Sequence, residues 1–313
     1  MDFPSFIAGS RLVLTEGSII EHLRRESSVK LDPFVANASL VYDAQGREAM
    51  ASLFRRYLTT GRESGLTMVV ETPTWRANPD RIKAAGLADR PVNEDCFRFI
   101  TDLRSEQGDY APSVAIAGLM GPAGDAYQPG AALAEDDAAV FHRWQAHALA
   151  KAGCDFLLAA TLPAASEAIG LARAMAITGL PYVLSFVARP DGTILDGTPL
   201  ADIIAIIDAS LSPRPFGYMV NCVHPTVFAD AMAAAVHKDP AVARRVIGLQ
   251  ANTSRKSPEE LEGSACLEGE DAAQFGREML EVHNRFGTKL LGGCCGTSPD
   301  HIAAIARAYI DKE

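Results

Sequence analysis

Eight short apolar runs, each tied to a stretch of helical periodicity, constrain this chain more than any other feature. They read Leu12–Leu14, Thr67–Val70, Ser113–Ala117, Phe156–Ala159, Tyr182–Phe186, Gly217–Val220, Val246–Leu249 and Lys289–Leu291. Most do not alternate apolar with polar residues, which is the pattern of parallel strands buried on both faces. Between them lie helical stripes. Met50, Leu53, Phe54, Tyr57 and Leu58 form one apolar face. Val140, Trp144, Ala148 and Ala152 form a second, and Ile169, Ala172, Met175 and Ala176 a third. Eight strand–helix units point to a (β/α)8 barrel, with a doubly wound open sheet as the competing arrangement. A barrel of about 250 residues or more is one domain. No Gly/Ser-rich linker divides the 313 residues, so residues 1–313 are expected to form a single domain.

Charge excludes two classes of partner. The 29 Lys and Arg against 39 Asp and Glu leave a net charge of −10, the same sign as nucleic-acid phosphates and anionic lipid surfaces. Neither nucleic acid nor membrane is therefore an expected partner. No run of about 18 apolar residues is present to span a bilayer. Met1–Arg11 lacks the basic start and apolar stretch of a secretion signal. The expectation is a cytoplasmic protein whose six cysteines stay reduced; homo-oligomerisation is compatible with this composition.

Three of those cysteines end strands. Cys222 follows Gly217–Val220, and Cys294 and Cys295 follow the last strand behind Gly292 and Gly293. In a barrel the strand ends meet at one mouth, so three thiols from two strands can converge there. Glycines on either side of the vicinal pair give the backbone freedom for both side chains to face one ion. Three thiolates leave one position open in a tetrahedral zinc site, the layout of a catalytic Zn2+. An external thiol bound there would be deprotonated, giving a sulfur nucleophile suited to methyl groups on sulfonium or quaternary ammonium centres. The alternative for any one cysteine is plain burial. That reading is assigned to Cys154, at a helix-to-strand turn, and to Cys96 and Cys266.

These residues are familiar as a set. Asn221-Cys222 with Gly292-Gly293-Cys294-Cys295-Gly296-Thr297 resembles the zinc signature of the homocysteine S-methyltransferase family. Thr72-Pro73-Thr74-Trp75-Arg76-Ala77-Asn78 and Gly118-Leu119-Met120-Gly121-Pro122 resemble family segments after the second and third strands. The resemblance implies a zinc (β/α)8 barrel that moves a methyl group to a thiol, usually homocysteine, giving methionine. It implies Cys222, Cys294 and Cys295 as the Zn2+ ligands. It places Glu16 where the family has a first-loop aspartate near the substrate amino group, with Gly17 and Ser18 offering backbone N–H groups to the carboxylate. Thr72 joins the expected substrate-binding set. One departure matters: after the fourth strand the family carries Glu-Thr, the Glu holding the substrate ammonium, and here the pair is Ala160-Thr161. Removing one partner of a buried ammonium costs about 3–5 kcal/mol. Either Glu71 or Glu16 replaces that carboxylate, or the acceptor differs.

Other residues carry open alternatives. Glu71 faces the barrel mouth or is a solvated loop acid. Asn252 binds substrate or caps a helix. His224 is a fourth ligand, a partner to one, or a loop residue. Trp75 lines the donor pocket or packs in a loop. The remaining histidines sit in helical patterns and are assigned no chemistry. The expected partners are a small-molecule thiol acceptor and a small-molecule methyl donor, since no cobalamin or folate domain follows Glu313. The competing functions are methylation of another thiol, zinc-dependent hydrolysis, and a non-catalytic thiol- or zinc-binding barrel.

Overall fold

The computed structural model describes residues 1–25, 29–256, 260 and 269–312; Cys266 lies outside them. Eight parallel strands close into a barrel in sequence order. They are β1 Val13–Thr15, β2 Thr67–Glu71, β3 Val114–Met120, β4 Phe156–Leu162, β5 Tyr182–Phe186, β6 Gly217–Asn221, β7 Val246–Ala251 and β8 Leu290–Gly293. Closure is made by β8 on β1, with Val13 opposite Leu290 and Leu14 opposite Leu291. Around the barrel run α1 Phe3–Gly9, α2 Ile20–Arg25, α3 Ala44–Ser64, α4 Pro79–Ala84, α5 Val92–Ser105 and α6 Glu135–Ala152. They continue as α7 Ala165–Ala176, α8 Leu200–Ser210, α9 Pro225–Lys238, α10 Val242–Arg245, α11 Ala272–Phe286 and α12 Pro299–Ile310. The expected fold is the observed one, and no described helix is long and apolar enough to cross a membrane.

Local signals set these boundaries. The Asp43 carboxylate accepts from Gly46 N–H at the start of α3, and Gly65 ends that helix at φ +67°. Gly153 ends α6 at φ +108°. The strand period then decides which side chains fill the barrel. Val13, Val69, Ala115, Ala117, Phe156, Leu158, Val183, Met219 and Leu290 form an apolar interior. Phe3 and Ile7 of α1 close its lower end, the Phe3 ring stacking on Phe156 with centroids 3.8 Å apart.

One stripe is only partly buried. Val140 and Trp144 are 70% and 47% exposed, whereas the apolar spacing turns them toward the core. The buried residues of α6 are Ala138, His142, Gln145, Ala146, Ala148 and Leu149, so of the expected stripe Ala148 does face inward. Two of these are polar and hydrogen-bonded, although His142 Nδ1 has no partner among the described residues. His142 Nε2 meets Glu167 Oε1 at 2.9 Å, and Gln145 Nε2 donates to Thr74 O at 2.8 Å. A buried polar group with its partner costs little, and hydrophobic periodicity is blind to the partner. Glu167 also accepts from Ala123 N–H and Leu133 N–H, which ties the long loop after β3 to α7.

Phe3 is fully buried beneath the barrel. Phe3→Ala is expected to destabilise the protein by about 3–5 kcal/mol, measured by urea unfolding. A change below about 1 kcal/mol would show that α1 is not part of the core.

Candidate active site

The upper ends of the inward-facing strand positions are polar. Two residues beyond Val69 on β2 stands Glu71, and two beyond Met219 on β6 stands Asn221. The same step from Gly248 reaches Gln250 on β7, and from Leu158 it reaches Ala160 on β4. These residues line one cavity of about 370 Å³ together with Glu16, Trp75, Arg76, Tyr127 and the three cysteines at 222, 294 and 295.

The cysteines meet there. Cys222 Sγ lies 2.8 Å from Cys294 Sγ and 3.6 Å from Cys295 Sγ. The three sulfurs form a group able to hold a metal ion. Hydrogen bonding from the Cys294 thiol, then from Cys295, holds Cys222 well below the ordinary thiol range. The donating thiols are pushed up in return. Tyr127, from the loop after β3, brings its hydroxyl to 2.9 Å from Cys222 Sγ.

Unusual backbone aims these sulfurs. Cys222 has φ +60°, and Thr161, at the end of β4, has φ +64°; for a β-branched residue this is an outlier. Asn221 stabilises Thr161 from both sides: its Oδ1 accepts Thr161 N–H at 2.9 Å and its Nδ2 donates to Thr161 Oγ1 at 2.8 Å. Asn221 Oδ1 also accepts from Ser185 Oγ at 2.7 Å. Cys222 N–H donates to Gln250 O, and Cys294 N–H to Ala251 O.

The glycines around the vicinal pair act mainly by close approach. Of the three, only Gly296 has a positive φ, +81°. A Cβ on Gly292 would fall 1.8 Å from Thr15 Oγ1, and one on Gly293 would fall 2.1 Å from Thr297 Oγ1. Thr297 Oγ1 fastens the turn, donating to Cys294 O at 2.6 Å and accepting from Ser18 N–H at 3.1 Å. The Ser18 N–H expected to meet a substrate carboxylate is therefore engaged within the protein.

The same cavity is lined by two carboxylates, Glu16 buried and Glu71 half-buried. Glu16 Oε1 accepts from Glu71 N–H at 2.9 Å, while Glu16 Oε2 has no partner among the described residues. Gln250 Nε2 donates to Glu71 Oε1 and, at 3.1 Å, to Thr15 Oγ1. Burial pushes Glu71 up to about 7, against the opposing pull of the Gln250 hydrogen bond. Burial and then the Glu71 charge push Glu16 well above the usual carboxylate range.

The other residues singled out by sequence fall into clear places. Thr72 borders the cavity, but its hydroxyl is paired with Thr74 Oγ1 and accepts from Leu119 N–H. Asn252 does not line the cavity; its Nδ2 donates to Cys222 O at 3.1 Å, so it steadies the cysteine from behind. His224 starts α9, its Nδ1 accepting Thr226 N–H, and its Nε2 faces Glu270 and Glu278 rather than the sulfurs. Trp75 lines the cavity, with Nε1 donating to Ala160 O at 3.2 Å. Cys96 and Cys154 are buried apart from the site. Tyr127, Arg24 and Gln250 carry no sequence signal that assigns them a role. Tyr127 sits in an irregular loop with no motif around it.

The model of the homocysteine S-methyltransferase family matches residues 13–309. The chain belongs to that family. Homocysteine S-methyltransferase YbgG of Bacillus subtilis is 30% identical over 204 residues, covering 62% of this chain and 61% of that protein. The chain thus aligns with less than two thirds of that relative. Homocysteine S-methyltransferase of Escherichia coli is 27% identical over 255 residues, covering 75% of this chain and 77% of that one. In fold the chain is similar to the crystal structure of the metallated form of the homocysteine methyltransferase MmuM from Escherichia coli. The TM-score is 0.76 at 21% identity, over 98% of this chain and 99% of that one.

The cavity contains a titratable feature that can be read without substrate. Glu71 binds its proton more tightly folded, at about 7, than at its ordinary 4.5. Its stabilising protonated form is complete below the lower value and lost as pH rises through the higher one. Ligand-free protein should therefore lose on the order of 2–3 kcal/mol relative to Glu71→Gln between about pH 5 and pH 7. Urea titrations across that range measure it; parallel profiles would show that Glu71 ionises without penalty.

Proposed function

We propose that this chain is an S-methyltransferase that methylates homocysteine, using zinc on Cys222, Cys294 and Cys295 and a sulfonium or quaternary ammonium donor. The observation that carries this reading is the convergence of three cysteine sulfurs on one cavity that Glu16 and Glu71 also line, the buried Glu16 with an unpartnered oxygen.

The sulfurs fit zinc. Around a tetrahedral zinc with bonds of about 2.3 Å, sulfurs stand about 3.8 Å apart. The observed 3.6 Å is close to this, and the 2.8 Å pair needs to open by roughly 1 Å. An all-thiolate donor set suits a soft ion better than magnesium or calcium. When bound, zinc supplies the Lewis acidity that keeps a thiol deprotonated at neutral pH.

The chain's residues supply orientation. Glu16 and Glu71 are placed to take the ammonium of the acceptor, filling the role left open by Ala160. An ammonium gives the unpartnered Glu16 oxygen a donor and favours both carboxylates in their charged form. The cavity then holds the acceptor sulfur beside the cysteines and the donor methyl beyond it. The thiol proton leaves to solvent. The thiolate lone pair forms the new S–CH3 bond as the methyl–onium bond breaks. That bonding pair stays on the donor sulfur or nitrogen, which departs as a neutral sulfide or amine, leaving methionine.

Cys222→Ser is expected to lose bound zinc and at least about 1,000-fold in activity, measured by metal analysis and methionine formation. Full activity with zinc retained would overturn the proposal. Glu71→Gln is expected to raise the homocysteine KM by roughly 10–100-fold with a smaller effect on kcat.

A further inference from the structure

Helix α6 leaves one face without a partner. Its solvent side carries Asp137, Val140, Trp144, His147 and Lys151, all exposed. They stand three, four, three and four residues apart, the spacing of a straight seam along which two helices pack. The centre of the seam is apolar, Val140 and Trp144 being among the exposed large hydrophobic side chains. Ile177, at the end of α7, is another at 57% exposure. It shares with Val140 a groove of about 320 Å³ between the two helices. The core has no use for these side chains, because α6 packs inward through Ala138, Ala146 and Leu149. A single exposed apolar residue is ordinary, but a group of them side by side marks a contact surface.

The ends of the seam carry opposite charge. Asp137 lies in the first turn of α6 and Lys151 in the last. The neighbouring acids Glu135 and Asp136 are paired with Arg173. Asp137 and Lys151 have no hydrogen bond or ion pair through their side chains among the described residues. The helix dipole favours charges of these signs at these ends, but it gives no reason for the apolar residues between them. Asp137 precedes Trp144 by seven residues and Lys151 follows it by seven. A second copy of the helix turned end for end about Trp144 therefore sets Asp137 opposite Lys151 twice. A parallel copy would set like charges together. The seam is self-complementary in the antiparallel sense alone, as a two-fold interface requires.

We propose that α6 is the interface of a two-fold homodimer. It packs antiparallel on the same helix of a second copy, Trp144 against Trp144 and Asp137 against Lys151, with Val140 and Ile177 closing the flanks. One helix and its margin make a small interface, below about 1,200 Å² in total. The dimer is expected to dissociate near about 10 μM.

Sedimentation velocity of the full chain from about 1 to 200 μM reads this equilibrium, under reducing conditions because Cys295 is exposed. Trp144→Glu is expected to weaken association at least about 100-fold. Asp137→Lys or Lys151→Asp alone should weaken it about tenfold. Combining both in one chain, or mixing the two singly substituted chains, should restore it, which follows from antiparallel pairing. Thermal melting of the variants at the lowest concentration separates lost association from lost folding. A chain that stays monomeric throughout would overturn the proposal and leave the seam to a different protein. A dimer indifferent to Trp144→Glu would overturn it by placing the interface elsewhere. Charge reversals that weaken the dimer and are not rescued by each other would overturn the antiparallel pairing.

Discussion

Closure of the barrel between β8 and β1 is the contact on which the rest of the structure depends. Val13 N–H donates to Lys289 O, and Gly293 N–H donates to Glu16 O at 3.0 Å. These bonds join opposite ends of the chain, so their entropic cost is large and is offset only by the packed interior they complete. The same seam places Glu16 beside the turn that carries Cys294 and Cys295. It tolerates no side chain at Gly292, where Thr15 already fills the space. Fold and site therefore share one piece of backbone.

Above that seam the barrel changes character within one strand period. The interior is apolar through Leu158 and Met219, then becomes polar at Glu71, Asn221 and Gln250. The amides work as braces. Asn221 stabilises the left-handed Thr161, and Gln250 links β7 to both β1 and β2. Each brace satisfies buried polar atoms that would otherwise cost about 1–3 kcal/mol apiece. One oxygen of the buried Glu16 is left without a donor among the described residues. Strained backbone at Thr161 and Cys222 fits the same picture, since such conformations persist where the surrounding structure over-determines them.

Some of this is legible in the chain and some is not. The eight strands and the cysteine convergence follow from apolar runs and from glycines flanking a vicinal cysteine pair. Periodicity turns part of the wrong face of α6 inward, because His142 and Gln145 are buried with partners that lie far away in sequence. Gly292 and Gly293 are needed for a different reason than their flexibility. Close approach of Thr15 and Thr297 is what excludes a side chain there. Asn252 shows that a polar residue at a strand end can steady a neighbouring cysteine without entering the cavity.

The sequence by itself determined the eight strand–helix units and the placing of three cysteines at strand ends, because strand periodicity and short-range glycine chemistry are local properties. The tertiary structure decided the closure and strand order, which carboxylates meet and where Tyr127 reaches. Glu16 meets Glu71 across 55 positions of chain, Tyr127 meets Cys222 across 95, and Gln250 meets Glu71 across 179. Such pairings depend on register and closure. Alternation along a strand says that a side chain points inward, but only the closed barrel says what it meets there.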